Sequence, residues 1–266
     1  MFDPESMPGI ADDNVPNPGR IYDYLLGGNH NFEIDRKIAN KLIQAYPEAP
    51  KFLRLIRWFL GEATRRLIDD GFTQFLDFAS GLPVQDHIHQ IAPEGTKVVY
   101  SDRDPITVSF AQNMLKDNPN VRYIRCNAEQ PENILGSDIL KDLFDLDKKT
   151  AIGMNGIVVF LSNDHLSYTL QTLYNWAKIG DRLFLSSSEP LSLERIETVD
   201  NAYDKMGQPF YRRSREELIS LVGDWKVLPP GYRTLENYLD LPGTIDAQAI
   251  YEAMGDKLFG AILEKQ

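Results

Sequence analysis

Phe75-Leu76-Asp77-Phe78-Ala79-Ser80-Gly81-Leu82-Pro83 decides the reading of this chain. Its first four residues are a short apolar run that ends in small residues, the pattern of a strand buried in a parallel sheet. Downstream, Lys97–Ser101, Val121–Arg125, Gly156–Leu161 and Arg182–Ser186 repeat that pattern. Helical stretches stand between them, at Pro105–Leu115, near Ile134–Leu146 and near Ser167–Ala177. Strands alternating with helical patterns predict βαβ units and a parallel sheet. Ser214-Arg215-Glu216-Glu217 opens a further helix as a capping box. Leu258–Leu263 reads as a final strand, after an excursion from Pro229 to Asp256 that carries a helix near Ala247–Met254. Upstream, apolar residues recur three and four apart from Glu33 to Asp70, and Pro47 and Pro50 divide that stretch into two helices. Residues 1–19 are rich in Pro, Gly, Asp and Asn and read as an irregular arm. The expected organisation is an N-terminal arm and helical cap over residues 1–70 and a Rossmann-like domain over 71–266, forming one compact unit.

The 266 residues suffice for a full core without disulfides or metal. Cys126 is the single cysteine, so no intrachain disulfide can form. There are 28 Lys and Arg against 39 Asp and Glu, a net charge of −11, which argues against nucleic acid as a partner. A local basic patch could still form at Arg54, Arg57, Arg65 and Arg66, though these arginines read more readily as a solvated helix face. The first twenty residues carry no apolar signal core, and no run is long enough to span a membrane, so a cytoplasmic location is the default expectation.

In an open α/β sheet, ligands bind beyond the carboxyl ends of the strands, where the strand order reverses. The turn Asp77–Pro83 lies at such an end. Ala79 and Gly81 are small enough for close backbone approach, and Pro83 suits the first turn of a following helix. The turn is not GxGxxG, which weakens a dinucleotide reading and favours a ligand without phosphates. Asp102 follows the second strand, 21 residues after Gly81, the spacing at which an acid reaches ribose hydroxyls. Arg103 would lie beside an adenine plane. Asn127, followed by Ala128, could present an amide to the adenine edge.

At these residues the chain resembles a family of S-adenosylmethionine-dependent, methyltransferase-like proteins of largely unassigned substrate. The resemblance rests on Pro16-Asn17-Pro18-Gly19-Arg20-Ile21-Tyr22-Asp23-Tyr24-Leu25-Leu26-Gly27-Gly28, on Asn31-Phe32 and Asp35-Arg36, on the Gln74–Pro83 turn, on Val98–Pro105 and on Arg213–Glu217. It spans about residues 14–230. It implies a class I methyltransferase fold, α/β with a seven-stranded, mostly parallel sheet whose last strand is antiparallel, plus the N-terminal cap packed over the cofactor mouth. S-adenosylmethionine is the implied cofactor. Tyr22, Gly27, Gly28 and Asn31 would then lie near cofactor or acceptor. The implied cofactor set is Tyr22, Gly28, Asp77, Ala79, Ser80, Gly81, Leu82, Pro83, Asp102, Arg103, Asn127, Ala128 and Ser162. The chain departs from the family at Ala79, where a glycine is usual, at Asn127, where an acid is usual, and at Ser162, where a His is common; His165 lies three residues on.

Methyl transfer needs alignment of nucleophile and methyl and exclusion of water, and a base only where the acceptor must lose a proton. Asp164 or His165 is the candidate to orient or deprotonate the acceptor; the competing reading is a helix cap by Asp164 beside a surface His165. His87 and His89 form His-x-His, but two ligands do not make a zinc site, and no metal is expected. Tyr22, Tyr24, Phe32, Trp58 and Tyr211 could line a pocket for a flat aromatic acceptor, though such residues are as readily core. Three functions stay open: a methyltransferase for a small-molecule acceptor, a cofactor-binding protein without catalysis, and an NAD-dependent oxidoreductase.

Overall fold

The computed structural model describes residues 15–191, 196–204, 206–241 and 246–266. Helices α1 (Pro18–Leu25), α2 (Glu33–Ala45) and α3 (Ala49–Asp69) precede the first strand. There follow β1 (Gln74–Asp77), α4 (Ile88–Ile91), β2 (Lys97–Asp102), α5 (Pro105–Leu115), β3 (Val121–Arg125), α6 (Glu132–Leu135), α7 (Asp138–Leu143) and β4 (Ala151–Met154). After these come α8 (Asn163–Trp176), β5 (Arg182–Pro190), α9 (Ile196–Asp204), α10 (Arg215–Leu221), β6 (Lys226–Val227), β7 (Arg233–Thr234), α11 (Leu235–Tyr238), α12 (Ala247–Met254) and β8 (Asp256–Glu264). Local chemistry sets several starts. The Asn17 side chain accepts from the Gly19 and Arg20 amides and Pro18 fills the first turn, so α1 begins inside the segment expected to be irregular. Asp104 caps α5 ahead of Pro105, and Ser214 and Glu217 form the expected capping box of α10. The rest of the expected arm, residues 1–14, lies outside the described residues.

The sheet runs β3-β2-β1-β4-β5-β8, with β1 parallel to β2 and β4, and β4 parallel to β5. β8 is antiparallel to β5 over nine residue pairs, from Arg182↔Glu264 to Pro190↔Asp256. Two two-residue strands, β6 and β7, share the outer edge of β8, so seven positions hold eight strands rather than the seven expected. The order reverses between β1 and β4, which makes their carboxyl ends the place for a ligand.

Both sheet faces are covered. Phe75, Val98, Tyr100 and Phe184 meet Leu55, Phe59, Ala63 and Leu67 of α3 on one face. Leu76, Val99, Ile152 and Leu185 meet Leu166, Leu170 and Leu173 of α8 on the other. Each buried Leu, Ile, Val or Phe among them contributes about 1.5–3 kcal/mol.

Two expectations are corrected here. Gly156–Leu161 is not the fourth strand. That strand is Ala151–Met154, and Val158–Phe160 is a turn of 3-10 helix. The apolar run is buried, but Gly156 at φ +75° turns the chain out of the sheet. Its carbonyls then take partners from elsewhere: Arg213 Nη1 donates to Val158 O (3.0 Å) and Nη2 to Leu161 O. Apolarity here reports burial, not pairing. The second correction is that Ile134–Leu146 splits into α6 and α7, because Ser137 caps a new helix. α8 also starts earlier than expected, at Asn163, with Ser162 as its cap.

Candidate functional site

β1 ends at Asp77, and the loop that follows is tied to β2 and β3. Ser80 N donates to Ser101 O (2.8 Å), Gly81 N to Asp102 Oδ2 (3.2 Å), and Tyr123 Oη to Gly81 O (2.7 Å). Pro83 does not open a helix. The next helix, α4, starts at Ile88 and makes one turn, so no long helix N-terminus faces the loop. Leu82 packs beneath the loop against Ile106 and Phe110, and Pro83 is buried with it. Ala79 adopts φ +51°, the left-handed region, where a Cβ costs about 1–2 kcal/mol. Ala79→Gly should therefore raise the unfolding free energy by up to about 1 kcal/mol after the added freedom of the unfolded chain is subtracted. Urea denaturation at neutral pH checks this, and a loss of stability would show that the Ala79 methyl holds the loop.

Two carboxylates face the loop. Asp77 is buried, and burial pushes its carboxyl up to about 6. Its Oδ1 has no hydrogen-bond partner. The group fits there because β4 carries Gly153, whose Cβ would stand 2.1 Å from Asp77 Oδ1. Asp102, half-buried, is also pushed up to about 6 by burial. Its Oδ1 accepts from Asp104 N (2.9 Å), so each oxygen keeps a lone pair for a ligand. Beyond β3, Asn127 donates to Glu129 Oε2 (3.2 Å) and accepts from Glu129 N (3.2 Å).

A cleft opens over these groups. Of the residues singled out in the sequence, Tyr22, Asp77, Ala79, Ser80, Gly81, Asp102, Arg103, Asn127 and Ala128 line it. Gly28, Leu82, Pro83, Ser162, Asp164 and His165 are not part of that lining. Gly28 has a structural reason instead: a Cβ there would fall 2.1 Å from Asp23 Oδ1, inside the turn that the Asp23 carboxylate organises through His30 N and Asn31 Nδ2. Gly27 and Asn31 belong to the same turn and are also outside the lining. Ser162 accepts from His165 N as the cap of α8, the role expected of Asp164, which is exposed. His165 is half-exposed and touches the cleft at second hand, through Glu129 Oε1 at 3.2 Å.

Other residues reach the cleft without having been singled out for it. Arg57, expected on a solvated face, is 8% exposed and lines the cleft. Its position was legible, because residue 57 falls on the stripe of Leu53, Leu60 and Thr64, four, three and seven residues away. Of the five aromatic residues considered for an acceptor pocket, Tyr22 lines the cleft and Tyr24, Phe32, Trp58 and Tyr211 do not. Phe52, Phe160, Tyr203 and Phe210 do, with Leu25 and Leu42. Phe160, Tyr203 and Phe210 form one cluster with ring centroids 4.5–5.9 Å apart. They come from three segments that meet only in the folded chain. Arg212 closes this side through both oxygens of Asp256 and through Asp200.

The cover is fastened by a buried ion cluster. Arg20 of α1 donates to Asp35 Oδ2 of α2 (2.7 Å) and reaches Asp104 Oδ2, two residues past Asp102, at 3.4 Å.

Among the described residues, no helix is long and apolar enough to cross a membrane, and no group of three or more His, Cys, Asp and Glu is placed to hold a metal ion. The family model of the S-adenosyl methyltransferases matches residues 5–252. No curated protein matches the chain. A methyltransferase candidate from Thermobifida fusca YX has a similar structure at 25% identity, with a TM-score of 0.88 over 99% of this chain and 100% of that one. A DUF574-family protein from Streptomyces avermitilis follows at 25% identity and TM-score 0.81, over 96% and 99%. Geranyl diphosphate C-methyltransferase from Streptomyces coelicolor A3(2), solved with S-adenosyl-L-homocysteine, shares the fold at 12% identity and TM-score 0.51, over 77% of each chain. The chain belongs to the S-adenosyl methyltransferase family, and S-adenosylmethionine is its cofactor.

Proposed function

We propose that the chain methylates a small molecule with an apolar body, bound between the cap (residues 1–70) and the Rossmann-like domain (71–266). The observation that carries this reading is that one cleft is lined both by the polar loop with Asp77, Asp102 and Asn127 and by an apolar and aromatic cluster, in which Leu25, Leu42 and Tyr46 pack with Tyr203 and Phe210. Polar groups fix orientation in such pockets and apolar walls supply contact area.

The polar loop fits the cofactor. Asp77 Oδ1 is a buried acceptor without a partner, and the space where a Gly81 side chain would stand is open. Asp102 would take the ribose hydroxyls, and Arg103, Asn127 and Ala128 would flank the adenine. Ala79, Ser80 and Gly81 would lie against the amino-acid end with Tyr22 above. When bound, S-adenosylmethionine supplies a methyl carbon already activated by sulfonium charge. The protein's share is to hold the acceptor in line and exclude water, which Leu25, Phe52, Phe160 and Phe210 do by lining the cleft. Where an acceptor must lose a proton, Glu129 is one carboxylate lining the cleft that could take it, and His165 would act through it. The single-turn α4 argues against a dinucleotide, because a pyrophosphate wants the free amides of a longer helix.

Calorimetric titration with S-adenosylmethionine, S-adenosylhomocysteine and NAD tests the reading. Both sulfur compounds should bind with micromolar or tighter affinity and NAD should give no heat. Binding of NAD alone would overturn it. A screen of apolar alcohols, phenols and acids with labelled cofactor then identifies the acceptor.

A further inference from the structure

β4 and β5 bring a second set of polar groups to the cleft, one that the cofactor leaves unused. Asn155 follows the last residue of β4, just before Gly156 turns the chain out of the sheet. Gly153 pairs with Asp77 and Met154 with Leu185, so Asn155 stands one strand over from Asp77, two residues further along, and beside Ser186. Its amide is fixed from two sides. Nδ2 donates to Ile56 O of α3 (3.1 Å), and Oδ1 accepts from Ser186 Oγ (2.7 Å), which itself accepts from Gly156 N (2.9 Å). A helix carbonyl can only accept, so the amide has one orientation. An asparagine amide carries two N–H donors and two acceptor lone pairs. Asn155 therefore keeps one of each, and it is half-buried in the lining of the cleft. Ser187 also lines the cleft; it is 3% exposed, and its Oγ has no hydrogen-bond partner among the described residues. The arginines of the lining are already matched. Arg212 is held by Asp200 and Asp256, while Arg57 acts on Asp77 and Arg103 on Asp102. Among the described residues, no lysine lines the cleft. What β4 and β5 offer a ligand is therefore neutral, with a donor and an acceptor on one amide. Buried polar groups call for hydrogen-bond partners, and a buried anion calls for a cation.

We propose that Asn155 and Ser187 form the subsite for the polar head of the methyl acceptor, and that this head is a neutral hydroxyl. The assignment rests on the reading of the chain as a methyltransferase for a small molecule with an apolar body, and it adds the head group to that body. A hydroxyl both donates and accepts, so it meets the unused lone pair or N–H of Asn155 and the Ser187 hydroxyl together. An ether accepts only. A carboxylate accepts only and brings a charge that neither side chain neutralises. Ser186 is a positioning residue in this arrangement, because it acts by holding the Asn155 amide.

The test uses three probes that share one apolar body: 2-naphthol, 2-methoxynaphthalene and 2-naphthoate, each titrated into protein saturated with S-adenosylhomocysteine. The naphthol should bind about tenfold tighter than either of the others, the range for a hydrogen bond that a buried site is built to make. Asn155→Ala should bring the naphthol down to the level of 2-methoxynaphthalene and leave S-adenosylhomocysteine within about twofold. Ser187→Ala and Ser186→Ala should each remove part of the naphthol's advantage and leave 2-methoxynaphthalene unchanged. Equal affinities for naphthol and 2-methoxynaphthalene, or a naphthoate that binds as tightly as the naphthol, would overturn the proposal without any variant. So would an Asn155→Ala protein that keeps the naphthol's advantage, or one that loses S-adenosylhomocysteine and naphthol alike, the signature of a residue that only braces the turn. If the naphthoate alone binds, the apolar-body reading stands and the subsite falls. If the protein binds S-adenosylhomocysteine but none of the three probes, the apolar-body reading fails and takes the subsite with it. If it does not bind S-adenosylhomocysteine, the cofactor reading fails before either.

Discussion

Arg20→Met is expected to lower the unfolding free energy by about 3–5 kcal/mol, the cost of breaking a buried ion pair by removing one partner. Arg20 is 1% exposed and Asp35 fully buried, so the substitution leaves a carboxylate out of water without its cation. Asp35 does more than pair with Arg20. Its Oδ1 accepts from Asn17 N and its Oδ2 from Phe32 N, which fixes the starts of both α1 and α2. Arg20 in turn accepts nothing and donates in three directions, to Asp35, to Asp104 and to Val15 O. The expected fall in melting temperature is about 10 °C. Adding Asp35→Asn should return part of the loss, since the amide keeps an acceptor for a backbone N–H and sheds the stranded charge. A loss below about 1 kcal/mol would show that water reaches Asp35 and that the cluster does not hold the cap. Because Asp104 sits two residues beyond Asp102, the same variant should also weaken S-adenosylhomocysteine binding, and thermal unfolding with and without that ligand reads both effects.

Much of this arrangement was legible in the chain itself. Asp77, Gly81, Asp102 and Asn127 lie at the ends of successive parallel strands, and a parallel sheet brings such ends together by its topology alone. Local rules therefore sufficed for them. They failed at Gly156–Leu161, where an apolar run is buried by a turn whose carbonyls are satisfied by Arg213 from 52–55 residues away. Nothing within the run distinguishes that partner from a neighbouring strand. They failed differently at Arg57. Four arginines within thirteen residues look like one basic face, yet Arg54 and Arg65 point to solvent and Arg57 turns into the cleft. The helical period separates them once the stripe through Leu53, Leu60 and Thr64 is traced. The aromatic lobe lies at the far end of this scale, because Phe52, Phe160, Tyr203 and Phe210 become neighbours only through tertiary packing.

Cofactor affinity is expected to rise with pH through about 6, while the stability of the cofactor-free protein falls with pH below that point. Both follow from Asp77 and its surroundings. Ser80 and the Arg57 charge favour its ionised form, while burial and the Asp102 charge oppose it, and burial is the largest influence, leaving the carboxyl at about 6. At pH 5 such a group is about nine-tenths protonated, and it is ionised by pH 7. A cationic ligand group binds the ionised form, so S-adenosylmethionine should bind about tenfold more weakly at pH 5 than at pH 8. Asp102, also at about 6, would deepen the difference toward a hundredfold if the ribose needs its anion. The sign for folding is the reverse. The native carboxyl lies above its unfolded value of 3.8, so between about pH 4 and 6 the native state holds a proton that the unfolded chain has lost. Its contribution to stability therefore declines across that window and stays low above it, by about 3 kcal/mol for a shift of this size. Asp77→Asn should accordingly unfold at higher temperature than the unaltered protein at pH 8, differ little at pH 4, and bind the cofactor less tightly with a flatter pH profile. Titrations from pH 5 to 8, paired with thermal unfolding of the ligand-free forms, measure both slopes. Affinity independent of pH over that range, or an Asp77→Asn variant less stable than the parent at pH 8, would mean that Asp77 is already satisfied in the free protein and is not held for a ligand. The expected outcome is antagonism at one atom, in which the charge that destabilises the empty cleft is the one that the cofactor completes.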